Sequence, residues 1–206
     1  MQYGIVVDTI SCVGCHTCST SCRLSNNLPV NMWWNKVMTV GGESMDAMAG
    51  VYPNNTLMYI TLACQHCGNP ACVRVCPVGA TYKREEDGVV FQDYDKCIGC
   101  RMCMAACPYS GVRVFNWEEP KHPLDFAVGD KDVPTHQKHV VEKCTFCAHR
   151  LARSEEPACV EVCPGRARFF GDLDDPNSEV SRLVATREHK QLLPEQGTNP
   201  SVYYLV

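Results

Sequence analysis

The sequence lacks the features of several large protein classes. No apolar run approaches the roughly 18 residues that a membrane-spanning helix needs, so we expect no transmembrane segment. Lysine and arginine (19) are outnumbered by aspartate and glutamate (23), and no basic stripe is present, which argues against a nucleic-acid partner. The first eight residues carry neither a charged leader nor a twin-arginine pair, so we expect no export signal in this chain.

Aromatic residues make up only 8% of the chain, and no separate set of nucleophile, acid and base stands out. The chain is instead rich in cysteine, with 16 in 206 residues, grouped into four quartets with none left over. The quartets are, in chain order, Cys12, Cys15, Cys18, Cys22; Cys64, Cys67, Cys72, Cys76; Cys97, Cys100, Cys103, Cys107; and Cys144, Cys147, Cys159, Cys163. This arithmetic predicts four cubane clusters bound through iron by all sixteen cysteines.

The spacing of the quartets favours iron–sulfur clusters. The first and third read C-x2-C-x2-C-x3-C, in which three thiolates bind one [4Fe–4S] cube and the fourth reaches a second cube. Pro77, Pro108 and Pro164 directly follow a fourth cysteine, as in bacterial ferredoxins, whereas Arg23 takes that place in the first quartet. Because ligation of metal couples to folding, we expect the metal-free chain to be largely unfolded.

Two other uses of cysteine compete with this interpretation. Disulfides are disfavoured because thiols spaced two to four residues apart would mispair locally instead of joining distant loops. Zinc is the stronger alternative, since the second and fourth quartets, each taken alone, look like two separated pairs. A zinc-stabilised structural module is therefore one hypothesis for this chain.

The chain contains an internal duplication. Cys12-Val13-Gly14-Cys15 matches Cys97-Ile98-Gly99-Cys100, and residues 70–77 match residues 157–164. Duplication alone does not say which quartets exchange their fourth ligands. The linker between the second and third quartets has 20 residues, against 41 and 36 for the other two, and a shorter loop costs less entropy to close. We therefore pair the second quartet with the third, and the first with the fourth.

This crossed pairing gives four ligand sets, numbered here as sites 1 to 4. Site 1 is Cys12, Cys15, Cys18 and Cys163; site 2 is Cys64, Cys67, Cys72 and Cys107; site 3 is Cys97, Cys100, Cys103 and Cys76; and site 4 is Cys144, Cys147, Cys159 and Cys22. No catalytic residue is predicted.

The predicted fold class is α+β, with duplicated bacterial-ferredoxin-like two-cluster units, short strands, short helices and long loops. One unit comprises residues 1–24 and 143–175, and the other residues 58–115. Residues 25–57 and 116–142 are expected to be connecting insertions, and residues 176–206 a C-terminal helix and tail. Strands are predicted at 4–7, 88–91, 112–115 and 167–170, and a surface helix at 179–189. Short helices are expected to carry the third and fourth cysteines, ended by the proline.

Several other residues lie near the quartets. The histidines His16, His66 and His149 are interpreted as surface or supporting donors, since every cube already has four thiolates. Lysine and arginine near a cluster would raise its potential, with solvated surface as the alternative; the candidates are Lys96, Arg101, Lys143, Arg150, Arg166 and Arg168. Trp33, Trp34 and Trp117 are expected to be buried, or else to anchor a partner.

The quartets and their flanking residues, including 144–151 and 170–176, resemble the four-cluster iron–sulfur subunit of the molybdopterin oxidoreductases. The resemblance is strongest to the polysulfide, dimethyl sulfoxide and respiratory arsenate reductases, and it extends from Tyr3 to Tyr204. It implies the crossed pairing and a large catalytic partner subunit that holds molybdenum or tungsten in a bis(pterin guanine dinucleotide) cofactor. It also implies that site 1 lies nearest that partner. Nitrate reductase relatives replace one third-quartet cysteine with tryptophan, whereas all four are present here, so four [4Fe–4S] clusters are expected.

The resulting hypothesis is an electron-transfer subunit, not itself an enzyme. It would conduct electrons between the catalytic subunit and a quinol-linked or soluble partner, through a separate membrane anchor chain or a soluble carrier. The alternative is a free-standing soluble polyferredoxin. The resemblance implies a location on the extracytoplasmic face of the bacterial cytoplasmic membrane after export with the catalytic partner; the alternative is the cytoplasm.

Overall fold

The computed structural model describes residues 1–122 and 124–206, and the secondary structure in these residues consists of short segments. Their helices are α1 (Thr17–Ser25), α2 (Ala71–Arg74), α3 (Met102–Ala105), α4 (Ala148–Leu151), α5 (Ala158–Glu161) and α6 (Glu179–Thr186). Their strands are β1 (Tyr3–Asp8), β2 (Lys36–Thr39), β3 (Tyr59–Leu62), β4 (Thr81–Lys83), β5 (Val90–Gln92), β6 (Arg113–Phe115), β7 (Val141–Lys143), β8 (Arg168–Asp172), β9 (His189–Lys190) and β10 (Val202–Leu205). No helix in the described part of the chain is long and apolar enough to cross a membrane.

The main sheet has β1 near its centre, in the strand order β8-β1-β10-β9. β1 pairs antiparallel with β8 and parallel with β10, so strands from both ends of the sequence are neighbours. Ile5 and Val7 pack into the core that contains buried cysteines, whereas Val6 packs against Val180 of α6 on the other face. The sheet therefore separates α6 from the cysteines, and its burial on both faces explains the apolar run in β1.

Three antiparallel ribbons, β2–β3, β4–β5 and β6–β7, flank the quartets. In the β6–β7 ribbon Arg113 lies directly opposite Lys143, and both side chains are buried. Like charges opposite one another destabilise an antiparallel pair. This arrangement therefore needs negative charge close by, and the neighbouring cysteine sulfurs are candidates for it.

The predicted strands are found at each of their four places, with shifted ends. The strand predicted at 4–7 is confirmed as β1, and those predicted at 112–115 and 167–170 correspond to β6 and β8. The strand predicted at 88–91 begins at Val90, because Gly88 (φ 71°) still belongs to the preceding turn. The tail predicted after the helix contains β10, which joins the main sheet.

The prediction that short helices carry both the third and the fourth cysteine is correct only for α1. Cys18 and Cys22 both lie on α1, but Cys76, Cys107 and Cys163 each lie beyond the end of their helix. The residue before a proline is disfavoured in the helical region, and each of these three cysteines precedes one. Arg23 in the first quartet imposes no such restriction, so α1 continues to Ser25.

The surface helix predicted at 179–189 is observed as α6, which ends at Thr186. The Ser178 side chain caps its start by accepting a hydrogen bond from the backbone N–H of Ser181 at 3.2 Å. At the other end Arg187 is extended, and the chain enters β9, which pairs with β10. The predicted end was wrong because the pairing of His189 and Lys190 with the next strand, β10, replaces the last helical turn.

The two predicted insertions contact each other around a buried histidine. Nδ1 of His136 lies 2.7 Å from a carboxylate oxygen of Glu142, and its Nε2 lies 2.9 Å from the backbone oxygen of Asn26. Burial lowers the pKa of His136, but the hydrogen bond and charge of Glu142 outweigh it and raise the pKa overall. A second contact joins Gly129 N–H to the Asn27 side chain at 2.7 Å. Residue 123 of the insertion predicted at 116–142 lies outside the described residues.

Candidate metal centres

Each C-x-x-C turn passes through the left-handed backbone region just before its second cysteine. Gly14 (φ 67°) and Gly99 (φ 69°) hold this place in the first and third quartets, where glycine adopts it at no steric cost. His66 (φ 41°) and Phe146 (φ 53°) hold it in the second and fourth. Their rings stack on one another with centroids 3.7 Å apart. All four quartets therefore make the same kind of turn, although two of them lack the glycine.

Replacing Gly99 with alanine should destabilise the third quartet more than backbone strain alone would. A Cβ at residue 99 would lie 2.5 Å from the backbone oxygen of His139, whereas a Cβ at Gly79 (φ 65°) would meet nothing within 4 Å. Gly79→Ala therefore reports the left-handed penalty alone, about 1–2 kcal/mol. We expect Gly99→Ala to lower the thermal midpoint further and to reduce bound iron, measured on both purified variants. Equal effects of the two substitutions would contradict the steric argument.

The third cysteine of each quartet lies on a short helix that packs against the corresponding helix of another quartet. α1 and α5 carry Cys18 and Cys159 and pack together, and α2 and α3, which carry Cys72 and Cys103, do the same. The first quartet thus lies beside the fourth, and the second beside the third. This is the pairing of quartets that the linker lengths favour.

Three cavities are lined by the cysteines of three predicted sites. One cavity is lined by Cys12, Cys15, Cys18 and Cys163, the members of site 1. A second is lined by Cys22, Cys144, Cys147 and Cys159, the members of site 4. A third is lined by Cys76, Cys97, Cys100 and Cys103, the members of site 3. In each cavity the fourth cysteine comes from a different quartet from the other three.

The cysteines predicted for site 2 also face one another. Burial raises the pKa of Cys107 to about 12, and the neighbouring sulfurs of Cys64 and Cys72 contribute to this increase. Burial likewise raises the pKa of Cys67 to about 11, again with Cys64 and Cys72 nearby. Thiols with such pKa values are protonated at neutral pH unless a metal binds them, since a coordinating thiol is deprotonated outright. Metal binding at site 2 is therefore coupled to proton release.

The four sites follow one another in the order 1, 4, 2, 3. Cys18 of site 1 and Cys159 of site 4 belong to one buried cluster, and Cys64 of site 2 and Cys144 of site 4 belong to another. The packing of α2 on α3 joins site 2 to site 3. Among the sixteen cysteines only Cys15 of site 1 and Cys100 of site 3 are exposed, so the two terminal sites reach the surface.

Hydrogen-bond donors point at the cysteine sulfurs. The backbone N–H of Ala167 lies 3.3 Å from Sγ of Cys163, and that of Thr81 lies 3.4 Å from Sγ of Cys76. The Asn26 amide nitrogen lies 3.8 Å from the sulfurs of both Cys22 and Cys147. Donors of this kind stabilise thiolate, and hydrogen bonds to sulfur also set the potential of a cluster. These donors are therefore compatible with an iron–sulfur site.

Buried cations around the cavities also fit an anionic metal group. Nε of Arg168 and Nη2 of Arg113 are buried and have no hydrogen-bond partner. Arg168 lines the cavities of both site 1 and site 4, while Arg113 faces the sulfurs of sites 2 and 3. A cubane held by four thiolates carries net negative charge and would satisfy these groups. The sixteen cysteines therefore fit [4Fe–4S] clusters in both donor chemistry and surrounding charge.

The other positive side chains named from the sequence have different environments. Lys143 and Arg168 are buried beside the cysteines, whereas Lys96, Arg101 and Arg166 are exposed. Arg101 lies over the ring of Trp117, 4.5 Å from its centroid. Sequence reasoning missed Arg113, because it lies six residues after Cys107 and belongs to no motif. The pairing of β6 with β7 is what places Arg113 near the sulfurs of sites 2 and 3.

The three histidines of the quartets have partners other than metal. Nδ1 of His66, which is fully buried, accepts a hydrogen bond from the backbone N–H of Val90 at 3.1 Å. Burial lowers its pKa well below the usual value, so the ring is neutral. His149 lies 3.0 Å from a carboxylate oxygen of Asp130, and His16 lies 3.9 Å from Asp46.

The tryptophans divide between core and surface. Trp34 is buried in the core that contains Cys22, Cys64 and Cys144, as ordinary burial predicts. Trp33 and Trp117 are exposed, and Arg23 lies over the Trp33 ring at 4.9 Å. These two remain candidates for contact with a partner.

The zinc alternative requires tighter sites than those observed. A single zinc ion binds thiolates at about 2.3 Å, which brings four ligands close together. Residues 1–122 and 124–206 contain no group of three or more His, Cys, Asp or Glu side chains gathered for one metal ion.

Comparison with known proteins identifies a matching family. The profile of the 4Fe-4S dicluster domain matches residues 55–122 and 130–173. The chain is 51% identical over 210 residues to a Halobacterium salinarum protein named as the iron–sulfur subunit of a dimethyl sulfoxide reductase, covering 99% of this chain and 79% of that relative.

Two further relatives align over nearly the whole chain. The iron–sulfur subunit of the arsenate respiratory reductase of a Shewanella species is 38% identical, with 100% of this chain and 96% of the relative covered. The iron–sulfur cluster-binding subunit of the menaquinone reductase of Nitratidesulfovibrio vulgaris is 37% identical, with 100% and 89% covered.

Proposed function

The chain belongs to the 4Fe-4S dicluster family, among the iron–sulfur subunits of reductase complexes, and on this basis we propose that it conducts electrons through four [4Fe–4S] clusters. When bound, each cubane accepts or gives one electron. The chain itself is an electron-transfer subunit and not the catalytic one. The observation that carries the proposal is the convergence of four cysteines from two different quartets on each of three cavities.

We propose that sites 1 to 4 are the ligand sets of these clusters. The crossed sets are supported by the cavity linings and, at site 2, by the mutual proximity of its sulfurs. They divide the chain into two ferredoxin-like units, residues 1–24 with 143–175 and residues 58–115. Support for this division comes from the packing of α1 on α5 and of α2 on α3.

The two exposed ends of the row of sites are the proposed points at which electrons enter and leave. Site 1, with exposed Cys15, is flanked by the exposed apolar side chains Ile10 and Val13. Site 3, with exposed Cys100, is flanked by Ile98. Exposed apolar side chains beside a redox site favour contact with another protein. We assign site 1 to the large catalytic subunit, in keeping with the family resemblance, and site 3 to the quinol-linked or soluble redox partner.

The remaining partners follow from the family. Several relatives are named as subunits of arsenate, selenate, sulfite and tetrathionate enzymes, which implies a catalytic partner. We propose that this partner holds the molybdenum or tungsten bis(pterin guanine dinucleotide) cofactor and that a membrane anchor chain or a soluble carrier completes the path. We further propose a location on the extracytoplasmic face of the cytoplasmic membrane, reached by export with the catalytic partner.

The test is anaerobic purification with an affinity tag on this chain. We expect about sixteen irons and no stoichiometric zinc per chain, because four cubes hold four irons each. We also expect a large pterin-containing chain to co-purify, and the electron paramagnetic resonance spectrum of the reduced complex to show interacting cubane clusters. A colourless protein with bound zinc would overturn the proposal. A stable, reducible monomer that captures no catalytic chain would instead support the free-standing polyferredoxin.

A further inference from the structure

A buried cation lies at each junction between neighbouring sites. Arg168, 6% exposed, lines the cavities of both site 1 and site 4. Lys143, 1% exposed, donates from Nζ to the backbone oxygen of Cys144 of site 4 at 2.9 Å and is near enough to Cys64 of site 2 to interact with its charge. Arg113, 4% exposed and opposite Lys143 in the β6–β7 ribbon, is near enough to Cys72 of site 2 and Cys103 of site 3 to interact with both charges. Three junctions join four sites in a row, and each has one such cation.

None of the three cations forms a salt bridge with a carboxylate among the described residues. Nη1 of Arg168 donates to Oγ1 of Thr61 at 2.6 Å, and Nη1 of Arg113 donates to Oε1 of Gln92 at 3.2 Å. Nζ of Lys143 donates to the backbone oxygens of Val90 and Cys144. Neutral oxygens leave each positive charge uncompensated, and a buried unpaired charge is costly.

The pairing of β6 with β7 increases that cost, because it sets Arg113 opposite Lys143. Glu142, the acidic neighbour of Lys143, is fully buried and is hydrogen bonded to His136 and Asn116 instead. The negative charge that compensates the pair therefore has to come from the cysteine sulfurs and from the metal group they hold.

We propose that Arg168, Lys143 and Arg113 are tuning residues, each of which raises the reduction potentials of the two sites it separates by a similar amount. This rests on the proposed four-cluster function. A positive charge between two sites stabilises an added electron on either one, and burial leaves its field weakly screened. Because both neighbours rise together, the cation at a junction leaves the step in potential between its own two sites unchanged. Sites 4 and 2 each border two junctions, so two cations raise their potentials, against one cation for each of sites 1 and 3.

The test is a redox titration of the purified complex, followed by electron paramagnetic resonance, for variants that remove one charge each. Arg168→Gln should lower the midpoint potentials of sites 1 and 4, Lys143→Gln those of sites 4 and 2, and Arg113→Gln those of sites 2 and 3. We expect at least a tenfold fall in the equilibrium constant for reduction at each affected site, which is about 59 mV for a one-electron couple. The matched control is Arg166→Gln, which removes an exposed charge two residues from Arg168.

The outcomes separate the inference from the function it rests on. Falls in midpoint potential that are confined to the two flanking sites support the tuning role of the three cations. The tuning role is overturned if the potential falls at one site alone, falls equally at all four sites, or falls no more than in Arg166→Gln. If Arg168→Gln loses its iron, Arg168→Lys decides: retained charge should keep both potentials near the wild-type values, and a tenfold or larger fall would overturn the role of charge. Wild-type complex without cubane signals would instead refute the proposed function.

Discussion

Replacing Cys163 with serine should remove the cluster bound by Cys12, Cys15 and Cys18, although residue 163 lies more than 140 positions away from them in sequence. Cys163 lines the same cavity as those three cysteines, and its Sγ accepts a hydrogen bond from the backbone N–H of Ala167. Serine leaves three thiolates and a weaker ligand. We expect the loss of roughly one quarter of the iron, because one of four cubes is lost. We also expect electron delivery through the complex to fall at least about 100-fold. Mutation of a residue that only hydrogen-bonds to a metal ligand already costs up to about 100-fold in metal affinity or activity.

The reciprocal variant is Cys22→Ser, which should remove the cluster at Cys144, Cys147 and Cys159, because Cys22 lies among these three sulfurs. Direct ligand variants give the spectroscopic reference for each site. The signal lost in Cys163→Ser should match the signal lost in Cys12→Ser, and the signal lost in Cys22→Ser should match that lost in Cys144→Ser. Uncrossed ligation predicts the opposite matches, so an exchanged pattern would refute the crossed sets.

The cysteines were the part of this molecule most accessible from sequence. The spacing within each quartet reflects the fixed size of the group that its cysteines bind. This spacing is a property of a short stretch of chain, so it can be interpreted without knowledge of the fold. The neighbourhood of the quartets also follows from the sequence, because short linkers close more cheaply than long ones. Thus the linker of 20 residues between Cys76 and Cys97 indicates the packing of α2 on α3.

Features that depend on distant pairing were not predictable in this way. The residues of β10 favour a strand, but nothing local to Val202–Leu205 shows that its partner is β1 from the other end of the chain. Arg113 becomes a neighbour of two sites only through its register with Lys143. The left-handed turn at Phe146 is also hidden, since a bulky residue there is rare unless its surroundings hold it, as stacking on His66 does.

Removal of the iron should unfold most of the chain. A structural zinc site contributes about 10–16 kcal/mol to the folding of small domains, and whole domains are stable by only about 5–15 kcal/mol. The loss of metal binding at four sites therefore exceeds any reserve of stability. We expect anaerobic chelation to abolish the cooperative thermal transition and most of the helical circular dichroism signal.

The local structure explains why so little would survive. α2, α3, α4 and α5 have four residues each, far below the 12–15 at which isolated helices become even marginally stable. The largest core cluster contains Cys22, Cys64 and Cys144, so it would lose its centre as well as its ligands. The buried charges of Arg113 and Lys143 would lose their compensation at the same time.

Hydrogen exchange during chelation gives the sharpest form of this test. The β6–β7 ribbon carries the opposed cations, whereas Val6 of β1 packs with Val180 and Leu205 in a cluster that contains no cysteine. Backbone amides of β6 and β7 should therefore lose protection earlier than those of β1 and β10. Iron loss that leaves the protection of β6 and β7 unchanged would mean that packing, and not metal binding, holds the fold together.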